Sequence, residues 1–406
     1  MNRKSIALII GIGVIVTFSV ISVPMLSRGI SESSLARRYV SSAKAFWAAE
    51  GGVQRALHDL RTDPTLSTWG DADLDGKPDT TVNLNTATVS VEVDLSGSNP
   101  VIDSQGKAKT VVRSLQATLT STSSSPFYYA GFGKSSLTMS GNGETDSYDS
   151  SQGPYGGENV SNEGDIGTNS SATGAISLSG NATVNGDAST GENGTVKITG
   201  NAEVNGDISD DCSEDFPSVE VPSSLTSLPT GGSYSVGGNN SQTLTPGDYK
   251  FSSITVSGNG TLTLQGPINI YLTDESNALT VSGNGKIIVT SDVNIYVDGK
   301  CTIGGNGVVN NSNLPEDFII YSTYSGSSNG IKITGNGDLY GAVYAPDTEI
   351  KIAGNGDVYG SLIGGSLKVT GNGDLHYDEA LQNISTAISS GYTIGSWEDK
   401  NAPYKL

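Results

Sequence analysis

The sequence predicts a mainly β protein: a right-handed parallel β-helix, or solenoid, preceded by a long N-terminal α-helix with a transmembrane segment and a small antiparallel β region. Three observations carry this. A Gly-Asn-Gly or Gly-Asn-Ala tripeptide recurs nine times in the C-terminal two-thirds of the chain. A run of 21 residues without a charge, 6–26, lies near the start. Gly supplies 53 of 406 residues and only 35% of the chain is apolar, a composition of turns and corners.

Charge separates the chain into two parts. The net charge is −20, but the first 61 residues hold eight basic and three acidic side chains, a net of +5, which leaves −25 on the remainder. An acidic domain lacks the basic face that phosphate contact needs, so nucleic acid is excluded as a partner. Two Cys cannot build a disulfide scaffold or a four-Cys zinc site. Two His leave little room for a His-rich metal centre.

The apolar run 6–26 reaches about 30 Å as a helix, the thickness of a bilayer core. Arg3 and Lys4 precede it, which sets the N-terminus in the cytoplasm and exports the downstream chain. A cleaved signal peptide would show a shorter apolar region and a small-x-small cleavage site. This run is long and Pro24 interrupts only its end, so a retained single-pass anchor is expected. Beyond it, Leu35, Tyr39, Ala43, Phe46, Val53, Leu57 and Leu60 recur at steps of three, four or seven, the stripe of an amphipathic helix. Residues 6–61 can therefore form one rod of about 84 Å. Gly51-Gly52 weakens it and Pro64 stops it.

An acidic loop comes next: Asp71, Asp73, Asp75 and Asp79, with Gly76 for a sharp turn. Carboxylates at alternate positions suit a hard, oxygen-ligated cation such as Ca²⁺. The pattern resembles the first half of EF-hand-like loops and of thrombospondin type 3 repeats, although Val82 stands where a twelfth-position Glu would close the loop. The bland alternative is a solvated acidic turn. Residues 80–95 and 108–120 alternate apolar and polar side chains and read as strands of a small antiparallel sheet. Residues 121–125 read as a linker.

The repeat fills most of what remains. The tripeptide starts at Gly141, Gly180, Gly200, Gly258, Gly283, Gly305, Gly335, Gly354 and Gly371, at intervals of 39, 20, 58, 25, 22, 30, 19 and 17 residues. Each copy comes after an apolar-x-apolar run such as Ile331-Lys-Ile-Thr or Leu367-Lys-Val-Thr. Short intervals match one coil, and long ones two coils or a coil with an inserted loop. Alternate apolar residues point inward, Gly turns the corner, and stacked Asn amides can form a ladder. A β-sandwich with Gly-Asn hairpins is the alternative. The division expected is 1–61 for the membrane and amphipathic helix, 62–125 for the acidic loop and small β region, 126–382 for the β-helix, and 383–406 for a C-terminal cap or tail.

Parallel β-helices often host polysaccharide lyases and hydrolases, which makes catalysis a candidate role. Asp338, Asp357 and Asp374 come directly after the last three tripeptides and would form a column about 4.8 Å apart. Paired carboxylates serve glycoside hydrolysis. These Asp residues belong to the repeat itself, however, whereas active sites are singular departures from a repeat. Asp187 and Asp207 recur in the same way, and a solvated face accounts for all five. His58 and His376 show no partner in the sequence. Tyr340, Tyr344 and Tyr359 could stack on sugars, with inward packing the stronger expectation. Cys212 and Cys301 lie 89 residues apart, about four coils or about 19 Å. A bridge, limited to about 7 Å between Cα atoms, would require 210–230 to fold back. No residue is assigned to catalysis.

The basic leader, the apolar span and the continuing helix resemble the N-terminus of type IV pilin-like proteins. Ala48, Ala49, Glu50 and Gly51 resemble the Ala-Ala-Glu-Ala-Gly stretch of the PilX N-terminal family of minor pilins. The segments at 148–157, 340–346 and 376–381 resemble the C-terminal domain attached to such N-termini. The leader reads Arg3-Lys4-Ser5-Ile6, without the Gly that marks the pilin processing site, and Ile9 stands where the fifth mature residue would be Glu. The resemblance thus carries neither the cleavage site nor a subunit pairing through that Glu.

It implies a non-enzymatic minor subunit of a type IV pilus or related secretion filament. The helix would pack with other pilin-like subunits in the inner membrane and filament core, and the acidic head would face the periplasm or cell surface. Apart from the resemblance, a surface polysaccharide or a host or cell-surface ligand is a further candidate partner. The alternative is a membrane-anchored β-helix carbohydrate-active enzyme or a polysaccharide-binding adhesin. The calcium expectation has its own test: calorimetry of the full chain in detergent should give a Ca²⁺ heat that Asp71→Asn abolishes, and a wild-type chain giving no heat would refute it.

Overall fold

The computed structural model describes residues 3–62, 66, 68–72, 74–96, 99–121, 125–326, 329–384 and 392–400. The chain divides into two compact units: 1–122 together with 391–406, and 123–390.

In the first unit, α1 (Arg3–Thr62) runs for 60 residues without a break at Pro24 or at Gly51-Gly52. At the usual rise that is about 90 Å. Its first half carries exposed apolar side chains, among them Ile15, Phe18, Val20 and Met25. Among the described residues it is the helix long and apolar enough to cross a membrane.

The last part of α1 lies on a five-stranded antiparallel sheet. The strands run in the order Asp79–Leu84, Ala87–Asp94, Val101–Ala108, Val111–Ser121 and Tyr392–Asp399. Three sequence expectations change here. The segment 80–95 is a hairpin of two strands, reversed at Asn85-Thr86, rather than one strand. Val101–Ala108 was missed because its inward positions Ser104, Gly106 and Ala108 are small, so no hydrophobic alternation marks it. Tyr392–Asp399, within the segment expected as a cap or tail, forms the edge strand against Val111–Ser121.

Close approach of helix and sheet explains the small residues on both. Ala45, Ala48, Ala49, Val53, Ala56, Leu57 and Leu60 are buried against Val89, Val91, Val93, Ile102 and Leu115. A Cβ at Gly106 would lie 1.9 Å from the Ala45 carbonyl oxygen, and one at Gly52 would lie 2.3 Å from Ser104 Oγ. The Ser104 hydroxyl donates to the Ala49 carbonyl at 2.7 Å. Of the expected stripe, Phe46, Val53, Leu57 and Leu60 pack on the sheet together with an added Ala-rich side, while Leu35, Tyr39 and Ala43 are exposed.

The second unit is one extended, almost wholly parallel sheet in which the chain pairs with every third strand. Three columns of strands result. One runs through Tyr234–Val236, Ile254–Val256, Leu279–Val281, Cys301–Ile303 and Ile331–Gly335, then through 350–354 and 367–371. Alternate residues such as Val256, Val281, Ile303, Ile333, Ile352 and Val369 point into a common apolar core. Eight of the nine corner Gly residues have positive φ; at Gly283 it is 67°. At Gly371 a Cβ would come within 2.3 Å of the Gly354 carbonyl oxygen, so successive corners nest on backbone.

The order of stacking is not the order of the sequence. The 367–371 strand pairs next with Leu137–Gly141, then Ile176–Gly180, then Val196–Ile198. The other columns join in the same way, 362–364 to Gly131–Gly133 and Leu375–Asp378 to Glu144–Tyr148. The first coil is thus laid on the last, at a seam between residues some 230 apart in sequence. The expected Asn ladder crosses that seam. Asn355 donates to Asn336, Asn372 to Asn355, Asn142 to Asn372, Asn181 to Asn142 and Asn201 to Asn181, at 2.6 to 3.0 Å.

The interval of 58 residues after Gly200 combines a coil, 234–256, with an inserted segment, as expected of the long intervals. It includes a return strap, 210–233, which carries the chain along the stack from Ile208–Ser209 to Tyr234–Val236. Phe216, Val219 and Leu225 on the strap are buried against the outward-facing Phe132, Tyr296, Tyr321, Tyr344 and Ile363. The Tyr344 hydroxyl donates to the Pro217 carbonyl at 2.6 Å. Cys212 lies on this strap and Cys301 in the core, and neither is bridged. Burial pushes the Cys301 thiol up to about 12.

The nested helix–sheet contact yields a test. Gly106→Val forces a side chain onto the α1 backbone and should destabilise the first unit by about 3 kcal/mol or more, at the upper end of overpacking costs. Urea denaturation monitored by Trp fluorescence reads this out; a loss under about 0.5 kcal/mol, the usual surface effect, would show that the two elements can separate freely.

Candidate functional site

Three sets of residues compete as sites. The first is the acidic loop. Both Asp71 oxygens accept backbone N–H bonds, from Asp75 at 3.1 Å and Gly76 at 3.0 Å. Asp79 accepts from the Ala72 amide at 2.7 Å, and Asp75 from the Lys77 amide at 3.0 Å. Lys77 Nζ stands 3.5 Å from Asp75, 3.3 Å from Glu92 and 3.7 Å from Asp94. The Glu92 hydrogen bond, ahead of the charges of Glu92 and Asp75, holds this ammonium above its ordinary value. Asp73 lies outside the described residues. The loop thus curls around its own amides and has a Lys as counter-ion.

The second set is the repeated Asp residues, which stack as expected. Asp338 accepts from the Asp357 amide at 3.1 Å, Asp357 from the Asp374 amide at 3.0 Å, and Asp374 from the Glu144 amide at 2.7 Å. Asp165 and Asp187 accept in turn from the Asp187 and Asp207 amides, both at 2.7 Å. Each carboxylate therefore uses one oxygen to tie its corner to the next coil. Burial raises the Asp165 and Asp374 carboxyls above the ordinary carboxylate range, and a neighbouring carboxylate adds to this, Asp187 for the one and Asp357 for the other.

The third set was not legible in the sequence. His376 is 6% exposed, and its Nδ1 lies 2.6 Å from Asp146 Oδ1. The expectation that His376 has no partner is corrected: the partner is 230 residues away and meets it only across the seam. The other oxygen of Asp146 accepts the Tyr155 hydroxyl at 2.6 Å. The His376 ring sits between Tyr155 and Tyr359, with centroids at 4.0 and 4.7 Å. Ligand atoms of Asp357, Asp374 and His376 lie within 4.8 Å of one another. His376 therefore joins the Asp column at Asp357 and Asp374. Register gives the signal that could have found it. His376 occupies the slot that Tyr340 and Tyr359 hold in the two preceding coils, so it is the departure from the repeat.

The three Tyr residues divide. Tyr344 faces the strap and is fully buried. Tyr340 and Tyr359 stack face to face, 4.2 Å apart at 5°. Each covers one face of the other, and His376 and Tyr155 also pack against Tyr359. His58 is exposed on α1.

Residues 200–384 match the model of a family described as a domain of unknown function, DUF7305. No curated protein matches the chain. Among solved structures, the competence-associated pilin ComZ from Thermus thermophilus is similar at 12% identity and a TM-score of 0.26, with 89% of this chain and 97% of that one covered. An ice-binding protein from the Antarctic ascomycete Antarctomyces psychrotrophicus is similar at 14% identity and a TM-score of 0.30, with 63% and 97% covered.

The raised Asp165 carboxyl makes a signed prediction. Its contribution to stability is full below the unfolded-state pKa and is lost as pH rises through the folded one. Asp165→Asn keeps an oxygen for the Asp187 amide and removes the buried charge. The variant should be more stable than wild type at neutral pH, with the gain vanishing in mild acid. Paired denaturant melts at the two pH values check this; a variant less stable at neutral pH would mean that the charge itself is needed.

Proposed function

We propose that this chain is a membrane-inserted, pilin-like minor subunit of a type IV pilus or related secretion filament. One observation carries the reading. A single helix, α1, presents exposed apolar side chains from Ile12 to Ile30 and then buries its Ala-rich side against a small sheet. Side chains such as Phe18 and Met25, 72% and 70% exposed, need lipid or the helices of other subunits. The same helix suits both: a span in the inner membrane before assembly and a packed core afterwards.

The basic leader supports a cytoplasmic N-terminus, with the remainder exported. On this reading the second unit is a β-helix head, right-handed as parallel crossovers nearly always are, displayed outside for structural or adhesive roles. Its regular, acidic surface and self-tied corner carboxylates support a non-enzymatic part. The acidic loop remains a candidate for Ca²⁺ in this compartment.

Membrane fractionation and filament shearing test the proposal. The full chain should fractionate with inner membrane and be recovered in sheared filaments together with other pilin-like subunits. Ile15→Arg, at a cost of about 3 kcal/mol near the middle of the span, should deplete both pools. Recovery from membrane alone, with none in filaments under piliated conditions, would refute the filament role while sparing the anchor.

A further inference from the structure

The seam between the last and first coils gathers carboxylates without a matching cation among the described residues. Asp357 and Asp374 each commit one oxygen to a backbone amide of the next coil. No Lys or Arg pairs with either among the described residues. The buried His376 joins them, its ligand atom within 4.8 Å of theirs. Its Nδ1 is committed to Asp146, which is itself held by Tyr155. With the Nδ1 proton given to Asp146, Nε2 is the nitrogen left as an electron-pair donor. A His oriented by a carboxylate on one nitrogen and free on the other is the arrangement found behind metal ligands. The rings of Tyr155 and Tyr359 flank the imidazole, so its orientation is set before any ligand binds.

The geometry points to a divalent-cation site formed by Asp357, Asp374 and His376, with Asp146 as the carboxylate that orients the His. One imidazole and two carboxylates suit Zn²⁺, since imidazole disfavours Ca²⁺ and Mg²⁺. A tetrahedral zinc holds its ligand atoms roughly 3.3 Å apart, so the two Asp side chains would turn inward to ligate it. Three protein ligands leave one position for water. The site closes the stack: its ligands come from the last two corners and strand, and the orienting carboxylate from the first coil. The ion would act as a clasp across a junction that chain continuity does not provide. This site is independent of the filament role.

The test uses the full chain in detergent, stripped with chelator and titrated with Zn²⁺ against a chromogenic competitor. Wild type should bind one equivalent. Asp374→Asn and His376→Gln should weaken binding at least about 100-fold, and Asp146→Asn about 10- to 100-fold. Zinc should raise the Tm of wild type and leave that of Asp374→Asn unchanged. Asp374→Asn retains an oxygen for the Glu144 amide, so its coil should still form; far-ultraviolet circular dichroism checks that it does. Co²⁺ loaded into wild type should give visible absorption typical of nitrogen and oxygen ligation, a readout that needs no variant. Wild type binding neither ion overturns the proposal. So does zinc binding that survives His376→Gln, or that is lost in Asp71→Asn instead.

Discussion

The second unit depends on one pairing: the parallel hydrogen bonding of the last coil, 358–378, onto the first, 131–148. A strand edge presents a row of unpaired donors and acceptors, and each coil here satisfies the edge of its neighbour. Laying the first coil on the last removes two edges at once. It also places the remaining ends at 196–209 and 234–251, away from the point where the chain enters. The Asn ladder runs through the seam without interruption, so coils that are distant in sequence are as well matched as consecutive ones.

This arrangement requires the strap. Chain that has wound outward to Ser209 must return to Tyr234, and the return buries Phe216, Val219 and Leu225 over an outward row of Phe and Tyr. Outward aromatic residues on a repeat face would otherwise be an exposed apolar stripe. Their burial converts a connection into a stabilising element, and the Tyr344 bond to Pro217 fixes where the strap lies. The acidic character of 210–220 keeps the strap's outer side in water while its apolar positions face in.

The first unit is governed by closeness rather than by bulk. Gly52 and Gly106, with Ala45, Ala48 and Ala49 between them, let the α1 backbone approach the sheet until a methyl group would collide. Small side chains bury little apolar area each, so the contact works through many dispersion contacts and the Ser104 bond to the Ala49 carbonyl. The Ala48-Ala49 pair therefore has a local structural reason within this unit, whereas Gly51 faces open space. Among its described side chains the first half of α1 is exposed, which divides the helix into a packed half and a half presented to its surroundings.

By itself the sequence determined what depends on neighbours along the chain. The charge-free span, the helical periodicity, the Gly-Asn corners, the alternating core positions and the stacking of the Asp column all arise from short spacings, and each is recognisable there. Tertiary structure alone decided what depends on which surfaces meet. The pairing of coil 358–378 with coil 131–148, the strap over the aromatic row, and the meeting of Asp146 with His376 join residues that no periodicity relates. A repeat makes this ambiguity unavoidable: when every coil offers the same edge, the sequence specifies that edges pair but not which two, and only the path of the chain through space resolves it.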